Sequence, residues 1–534
     1  MFKRPLITLP IAVILLGCGG LEFRVRLLEI EAGGKPIAVM GEGDARRLGV
    51  KSSDRVLIRL GDSEATAILN IASEFPEGVL GAYKELRAKL KLVEGAQIQV
   101  EPIGRPESLS YIREKILGER LTPWKIDRIV QDVVEQHLSD VELAAFVTAL
   151  QIHGMSMEEV EALSWAMVKR GRTLNLGRHP ILDKHSVGGV PGDKTTLLVV
   201  PIIAASGYTI PKTSSRAITS PAGTADRMEP LCPVDLRLEE ILRVVEEVNA
   251  CIVWGGALDL APADDLFIRV EYPLSIDPLL LPSIMAKKKA MGSTHMVVDI
   301  PTGRGAKIKT MDQAQQLAMD FIELGRRLGI VVECAITEGD QPIGRAVGPA
   351  LEAREALEAL MGNGPPDLID KAASLAGILF RMFGDENGKE KALSILNSGR
   401  ALEKMREIIG AQGGDPDVRP EDIPIGERVH EMRADRGGRV LWIDNSAIAQ
   451  IARAAGAPSD KGAGLILNAK MGDEVDRGDV ILRIHAESPQ RLEWASSLAR
   501  SLEPMGIGER VGERMLIREI RAVTPLGPEF ILER

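Results

Sequence analysis

Two short stretches concentrate the residues able to do chemistry. The first, Lys184 to Thr196, reads KHSVGGVPGDKTT and sets Gly188, Gly189 and Gly192 among Lys184, Ser186, Lys194 and Thr196. Glycines let the backbone turn tightly and aim several N–H groups at one point, and ammonium and hydroxyl groups there complete a cradle for an anion such as phosphate. The apolar run LLVVPIIAA that follows is long enough for a buried helix whose positive end faces the loop. The second stretch, TSSRAITSPAGTADRME, gathers Thr213, Ser214, Ser215, Arg216, Thr219, Ser220 and Thr224 about one guanidinium, flanked by Gly223 and closed by Asp226 and Glu229. A second polar ligand group fits there. The spacing is neither GxxxxGK[ST] nor GxGxxG, which excludes a Walker loop and a dinucleotide fingerprint. The alternative is structural: glycine turns at the edge of a buried helix, with hydroxyls that only cap.

The elements that must position these residues are spread over 534 residues with 45% hydrophobic content, enough for several globular domains. A net charge of −10 without a long Lys/Arg run argues against a nucleic-acid polymer as partner. Four scattered cysteines form no CxxC, so neither a zinc site nor a disulfide framework is expected. Residues 1–20 carry Lys3 and Arg4, an apolar stretch and LLGC ending at Cys18, the pattern of a signal or lipoprotein segment; an upstream start that adds an arbitrary extension is the competing reading.

Residues 21–106 alternate in short β-branched runs and predict a β-rich N-terminal domain. Residues 107–182 predict a helical domain, with capping boxes at Ser139/Glu142 and Ser156/Glu159. Between 183 and 425, strands such as IVWGG, MVVDIP and IVVECAI alternate with helix patterns, which predicts an α/β domain whose loops after the strand ends bind ligand. Among those loops, Asp299 to Lys307 again sets glycines beside Arg304 and Lys307, while Lys288 and Lys289 read equally well as a solvated helix end. Residues 426–534 predict a C-terminal α+β domain in which GDEVDRGDVILRIHAES resembles a lipoyl-type hairpin. Ala469-Lys470-Met471 lacks the second methionine of a biotin site. The whole is a multidomain α/β protein.

KHSVGGVPGDKTT followed by TSSRAITSPAGTADRMEP resembles the phosphate and nucleoside signature of the thymidine phosphorylase family, and the VPGDK form most resembles its archaeal-type AMP phosphorylase branch. The likeness runs from about Leu21 to the C-terminus. It implies a central domain of the nucleoside phosphorylase type and phosphorolysis of AMP to adenine and ribose 1,5-bisphosphate, with CMP and UMP as further candidates. Inorganic phosphate is then a co-substrate, with no cofactor or metal. A cytoplasmic location and a homo-oligomer built from dimers are also implied. The rival readings are a thymidine or pyrimidine nucleoside phosphorylase, and a membrane-anchored nucleotide-binding protein without turnover.

Such a reaction needs an anchored phosphate, tolerance of an oxocarbenium-like sugar and a proton for the leaving base. Lys184, Ser186, Lys194 and Thr196 are the phosphate candidates. Asp277, set between apolar Ile276 and Pro278, is expected to be desolvated and to keep its proton, and His185 competes for the role. The resemblance favours Asp277 and places nucleotide contacts at Gly189, at Ser215, Arg216, Ala217, Ile218, Thr219 and Ser220, and at Thr224, Ser283 and Lys307. Arg216 is the natural partner for a 5′-phosphate. The chain departs from the family pattern at Pro221 and in the shortened segment between Asp277 and Ser283.

Overall fold

The computed structural model describes residues 20–217 and 220–509, without the Ala257 side chain. The signal-like stretch with Cys18, and the site candidates Ile218 and Thr219, lie outside the described residues. Packing divides the chain into two units: one comprises the residues up to Arg170 with Pro262–Pro278, the other Gly171–Ala261 with Leu279 onward.

In the first unit, strands Leu21–Leu27, Ile37–Gly41, Arg55–Leu60, Ser63–Ala72, Val79–Ala82 and Gln97–Pro102 close into a barrel. Alternate side chains, among them Phe23, Val25, Val56, Ile58, Leu69 and Val100, point inward and fill it. Closure leaves no open edge. The strand Val79–Ala82 escapes the sequence pattern because VLGA is too short to alternate, yet it bridges Leu21–Leu27 and Ile37–Gly41.

Helices Ser108–Ile116, Pro123–Val134, Asp140–His153 and Met157–Arg170 follow the barrel. Both predicted capping boxes form: Ser139 N donates to Glu142 Oε2 at 2.6 Å and Ser156 N to Glu159 Oε2 at 2.8 Å. A further helix, Pro262–Leu274, lies within the segment that the sequence pattern gives to the α/β domain but packs here, with Phe267 6.2 Å from Phe146. Its PADDLFIRVEYPL sequence carries an apolar face for this bundle, and chain order alone does not show which unit that face serves.

The second unit holds two parallel sheets rather than one. Val331–Glu338, His295–Thr302 and Leu182–Ser186 make the larger, and Ile210–Ser214 with Ala250–Trp254 the smaller; an isolated bridge joins Ile181 to Thr209. The strands Leu182–Ser186 and Ile210–Ser214 are the ones the sequence pattern misses, because LDKHS and IPKTS put charged residues at buried positions. The predicted buried helix is Thr196–Ala205, in which residues 196–204 are all buried. It packs against Pro366–Arg381 and Arg400–Ala411.

Two antiparallel sheets and the helices Asn445–Ala455 and Pro489–Leu502 complete this unit. The expected lipoyl-type hairpin does not form: Glu474–Val475 pairs with Gly438–Ile443, whereas Val480–Ala486 pairs with Arg428–Arg433 and Gly464–Leu467. Lys470 is no attachment site either, since its buried ammonium donates to Gly344 O at 2.9 Å and pairs with Asp367 at 3.1 Å. Among the described residues no helix is long and apolar enough to cross a membrane.

Candidate active site

The glycine loop leaves the strand Leu182–Ser186 and enters the helix Thr196–Ala205. Gly189 and Gly192 sit at φ +92° and +76°, the region glycine enters without strain. A Cβ on Gly189 would lie 2.4 Å from Lys307 N, and one on Gly192 2.6 Å from Ile343 O, so no side chain fits at either place. The same packing brings Lys307 and its glycine-rich loop against Gly189.

Lys184 is buried, with Nζ 3.4 Å from Thr196 Oγ1 and 3.8 Å from Asp193 Oδ2. Ser186 Oγ accepts from Gly188 N at 3.4 Å. These three phosphate candidates therefore belong to one loop and its flanks. Lys194 does not join them. Its buried ammonium donates to Ile343 O at 2.9 Å and Ala346 O at 3.1 Å and pairs with the Glu355 carboxylate. Between the turn and the helix start, its side chain falls on the core side and ties the loop to the helix Pro349–Leu360.

Beneath the loop lies a set of buried charges. Lys288 pairs with Asp183 at 2.8 Å, Lys371 with Asp299 at 2.9 Å and Lys184 with Asp193, while Lys212 stands 3.7 Å from the Asp183 carboxylate that Lys288 already uses. Four lysines thus share three carboxylates, and an anion bound beside them would favour the charged form of all four. Burial, then the Lys288 charge, pushes the Lys212 pKa well below that of a free lysine. Burial alone would raise the Asp193 carboxyl, but Lys184, Lys371 and the Thr195 hydroxyl hold it well below the usual carboxylate range. Lys288 is buried, which corrects the solvated-helix-end alternative for it. Sequence reasoning also passed over Asp183 and Lys212, whose signal was charge inside strand-like segments.

His185 is half-buried. Loss of bulk water, followed by the charges of Lys212, Lys288, Lys184 and Lys287, drives its pKa well below 6.5. The imidazole is therefore neutral at neutral pH.

In the second stretch, Asp226 Oδ2 accepts from Ala217 N at 2.6 Å and from Gly223 N at 2.9 Å, so one carboxylate pinches Ala217 and Gly223 together. Ser215 is exposed, and Ala217, Ser220 and Thr224 are half-buried about this pinch. Arg216 does not offer its charge to a ligand as expected. Glu229 holds it at 2.7 and 2.9 Å, Asp235 at 3.1 Å and Asp226 at 3.3 Å, and its guanidinium lies 5.2 Å over the Trp254 ring. Three carboxylates compete for that cation, and their hydrogen bonds raise the Arg216 pKa.

Asp277 belongs to the first unit, in the exposed turn after the helix Pro262–Leu274. The burial expected for it between Ile276 and Pro278 is not observed, because that turn carries Asp277 into solvent. Ser283 belongs to the second unit, within the helix Leu280–Ala290. Among the described residues, the one His/carboxylate grouping able to hold a metal is Asp132, Glu135 and His137, none of which belongs to either stretch.

Family models match the helical bundle domain of the glycosyl transferase family at residues 109–171, its a/b domain at 178–402, and the pyrimidine nucleoside phosphorylase C-terminal domain at 440–503. The AMP phosphorylase of Thermofilum pendens is 49% identical over 514 residues, covering 96% of this chain and all of that protein. The chain belongs to the AMP phosphorylase family. Further AMP phosphorylases include that of Pyrococcus furiosus, 52% identical over 91% of this chain and 97% of that protein. The Methanosarcina barkeri relative is 49% identical over 89% and 94%. Among solved structures, anthranilate phosphoribosyltransferase from Thermus thermophilus matches with a TM-score of 0.49 at 22% identity, covering 56% of this chain and 98% of that one.

Proposed function

We infer that the protein catalyses phosphorolysis of AMP, giving adenine and ribose 1,5-bisphosphate. The observation that carries this reading is the near full-length identity of about half with proteins named AMP phosphorylase. A loop built to hold an anion, with buried lysines beside it, supports it.

In this reading inorganic phosphate lies in the glycine loop, held by backbone N–H groups, the Lys184 ammonium and the Ser186 and Thr196 hydroxyls. A phosphate oxygen attacks C1′ of the ribose, the C1′–N9 bond breaks, and its electron pair leaves with adenine, which takes up one proton. The phosphate stabilises the oxocarbenium-like sugar from below, and the neighbouring lysines favour its dianionic form. The family resemblance assigns the proton to Asp277, and a neutral His185 carries no acidic imidazolium to compete for that role at neutral pH. His185 then serves as a hydrogen-bonding group.

With Arg216 engaged by its own carboxylates, the 5′-phosphate falls to the N–H groups and hydroxyls of Ser215 to Ser220 and to Thr224, with Gly189, Ser283 and Lys307 completing the nucleotide contacts. Neither cofactor nor metal enters. The test is release of free base from AMP, CMP, UMP, adenosine and thymidine, each with and without phosphate. Phosphate-dependent adenine from AMP, exceeding release from adenosine, is expected; turnover of thymidine in place of AMP would overturn the assignment.

A further inference from the structure

A segment of the C-terminal α+β region meets the carboxylates that pinch the nucleotide loop. Lys461 lies in the turn between the helix Asn445–Ala455 and the strand Gly464–Leu467. Its ammonium pairs with the Glu229 carboxylate and stands 3.5 Å from Asp226 Oδ1. Asp226 is the residue whose other oxygen accepts from Ala217 N and Gly223 N, and Glu229 is the residue that clamps Arg216. One cation therefore touches both the carboxylate that holds Ala217 and Gly223 and the one that clamps Arg216.

The turn is fixed from behind. Ala350 N donates to Lys461 O at 3.0 Å, and a Cβ on Gly348 would come 2.4 Å from Ala463 O. The same helix, Pro349–Leu360, anchors the loop from its other side, since Glu352 pairs with buried Arg227 and accepts from Gly348 N at 3.0 Å. The loop and the lysine thus hang on one rigid element.

Charge makes the lysine more than a brace. Arg216 and Lys461 face Asp226, Glu229 and Asp235, two cations against three anions, so the cluster carries one net negative charge beside a loop that receives a phosphate dianion. Without Lys461 that becomes two. The Glu229 carboxyl, held down to about 2 by its hydrogen bond from Arg216 and by Lys461, stays ionised at working pH and keeps the cluster charged.

We propose that Lys461 is a positioning residue for nucleotide binding: by neutralising Asp226 and Glu229 it keeps Asp226 on the Ala217 and Gly223 amides and lowers the negative field that the 5′-phosphate meets. This rests on the reading that this loop receives the nucleotide. The experiment is steady-state kinetics of Lys461→Gln and Lys461→Arg, paired with hydrogen exchange at the Ala217 and Gly223 amides in the ligand-free protein. In Lys461→Gln the KM for AMP should rise roughly fivefold, the scale of a partly exposed ion pair, with kcat and the KM for phosphate within twofold of wild type. Exchange at both amides should quicken, and Lys461→Arg should restore both. An unchanged KM for AMP with unchanged exchange, or an arginine variant as impaired as the glutamine one, would overturn the proposal. If wild-type protein does not turn over AMP, the functional reading fails by itself, and the exchange rates still decide whether Lys461 holds the loop.

Discussion

At the scale of single residues, charge decides roles that residue type leaves open. Asp277 and His185 are both suitable acids by type. Loss of bulk water, and then the lysines around it, hold His185 neutral, and that environment is invisible in KHS alone. The sign for stability follows. A histidine whose folded pKa lies below its unfolded value opposes folding only when protonated, so its penalty grows as pH falls below about 6.5 and is absent above it. The His185 ring proton resonance should show no titration between pH 6 and 8 by NMR; an inflection near 6.5 would return the proton to it. Asp277→Asn should lower kcat by about 10²–10⁴-fold with the KM for AMP changed only a few-fold. Lys184 and Ser186 were legible as loop residues, because composition and glycine spacing define the loop. The direction of Lys194 was not, since one residue of register at a strand-to-helix turn decides between ligand side and core side.

At the scale of elements, the site depends on a strand, a tight turn and a buried helix being locked together. Lys194 and Glu355 supply part of that lock. Removing one partner of a buried pair strands the other, at about 3–5 kcal/mol. Lys194→Met should therefore lose stability on that scale in denaturant unfolding, and the pair Lys194→Met with Glu355→Leu should regain most of it. A single variant as stable as wild type would show that the pair contributes little. The helix Thr196–Ala205 was legible from its uninterrupted apolar run, and the capping boxes from their serine and glutamate spacing. LDKHS and IPKTS were not legible as strands, because their lysines and aspartate are buried only through ion pairs that distant elements supply, Lys288 on Asp183 above all.

At the scale of the whole molecule, composition and alternation of pattern separated β-rich, helical, α/β and α+β segments, but chain order did not reveal that Pro262–Leu274 packs with the helical segment. Contacts between residues more than a hundred positions apart decide that. The helices of the first unit expose Val141 (79%), Ile152 (69%) and Trp124 (56%), apolar side chains that self-association would cover. Light scattering tests the homo-oligomer that the family resemblance implies: an even multiple of the protomer mass is expected, and a monomer at micromolar concentration would contradict it.

The most direct measurement is ³¹P NMR of the protein with AMP and inorganic phosphate and no added metal. Phosphorolysis predicts loss of inorganic phosphate and AMP in equal amounts and growth of two equal signals from ribose 1,5-bisphosphate. Growth of ribose 5-phosphate with inorganic phosphate unconsumed would instead mark a hydrolase, and AMP left intact would contradict the activity altogether.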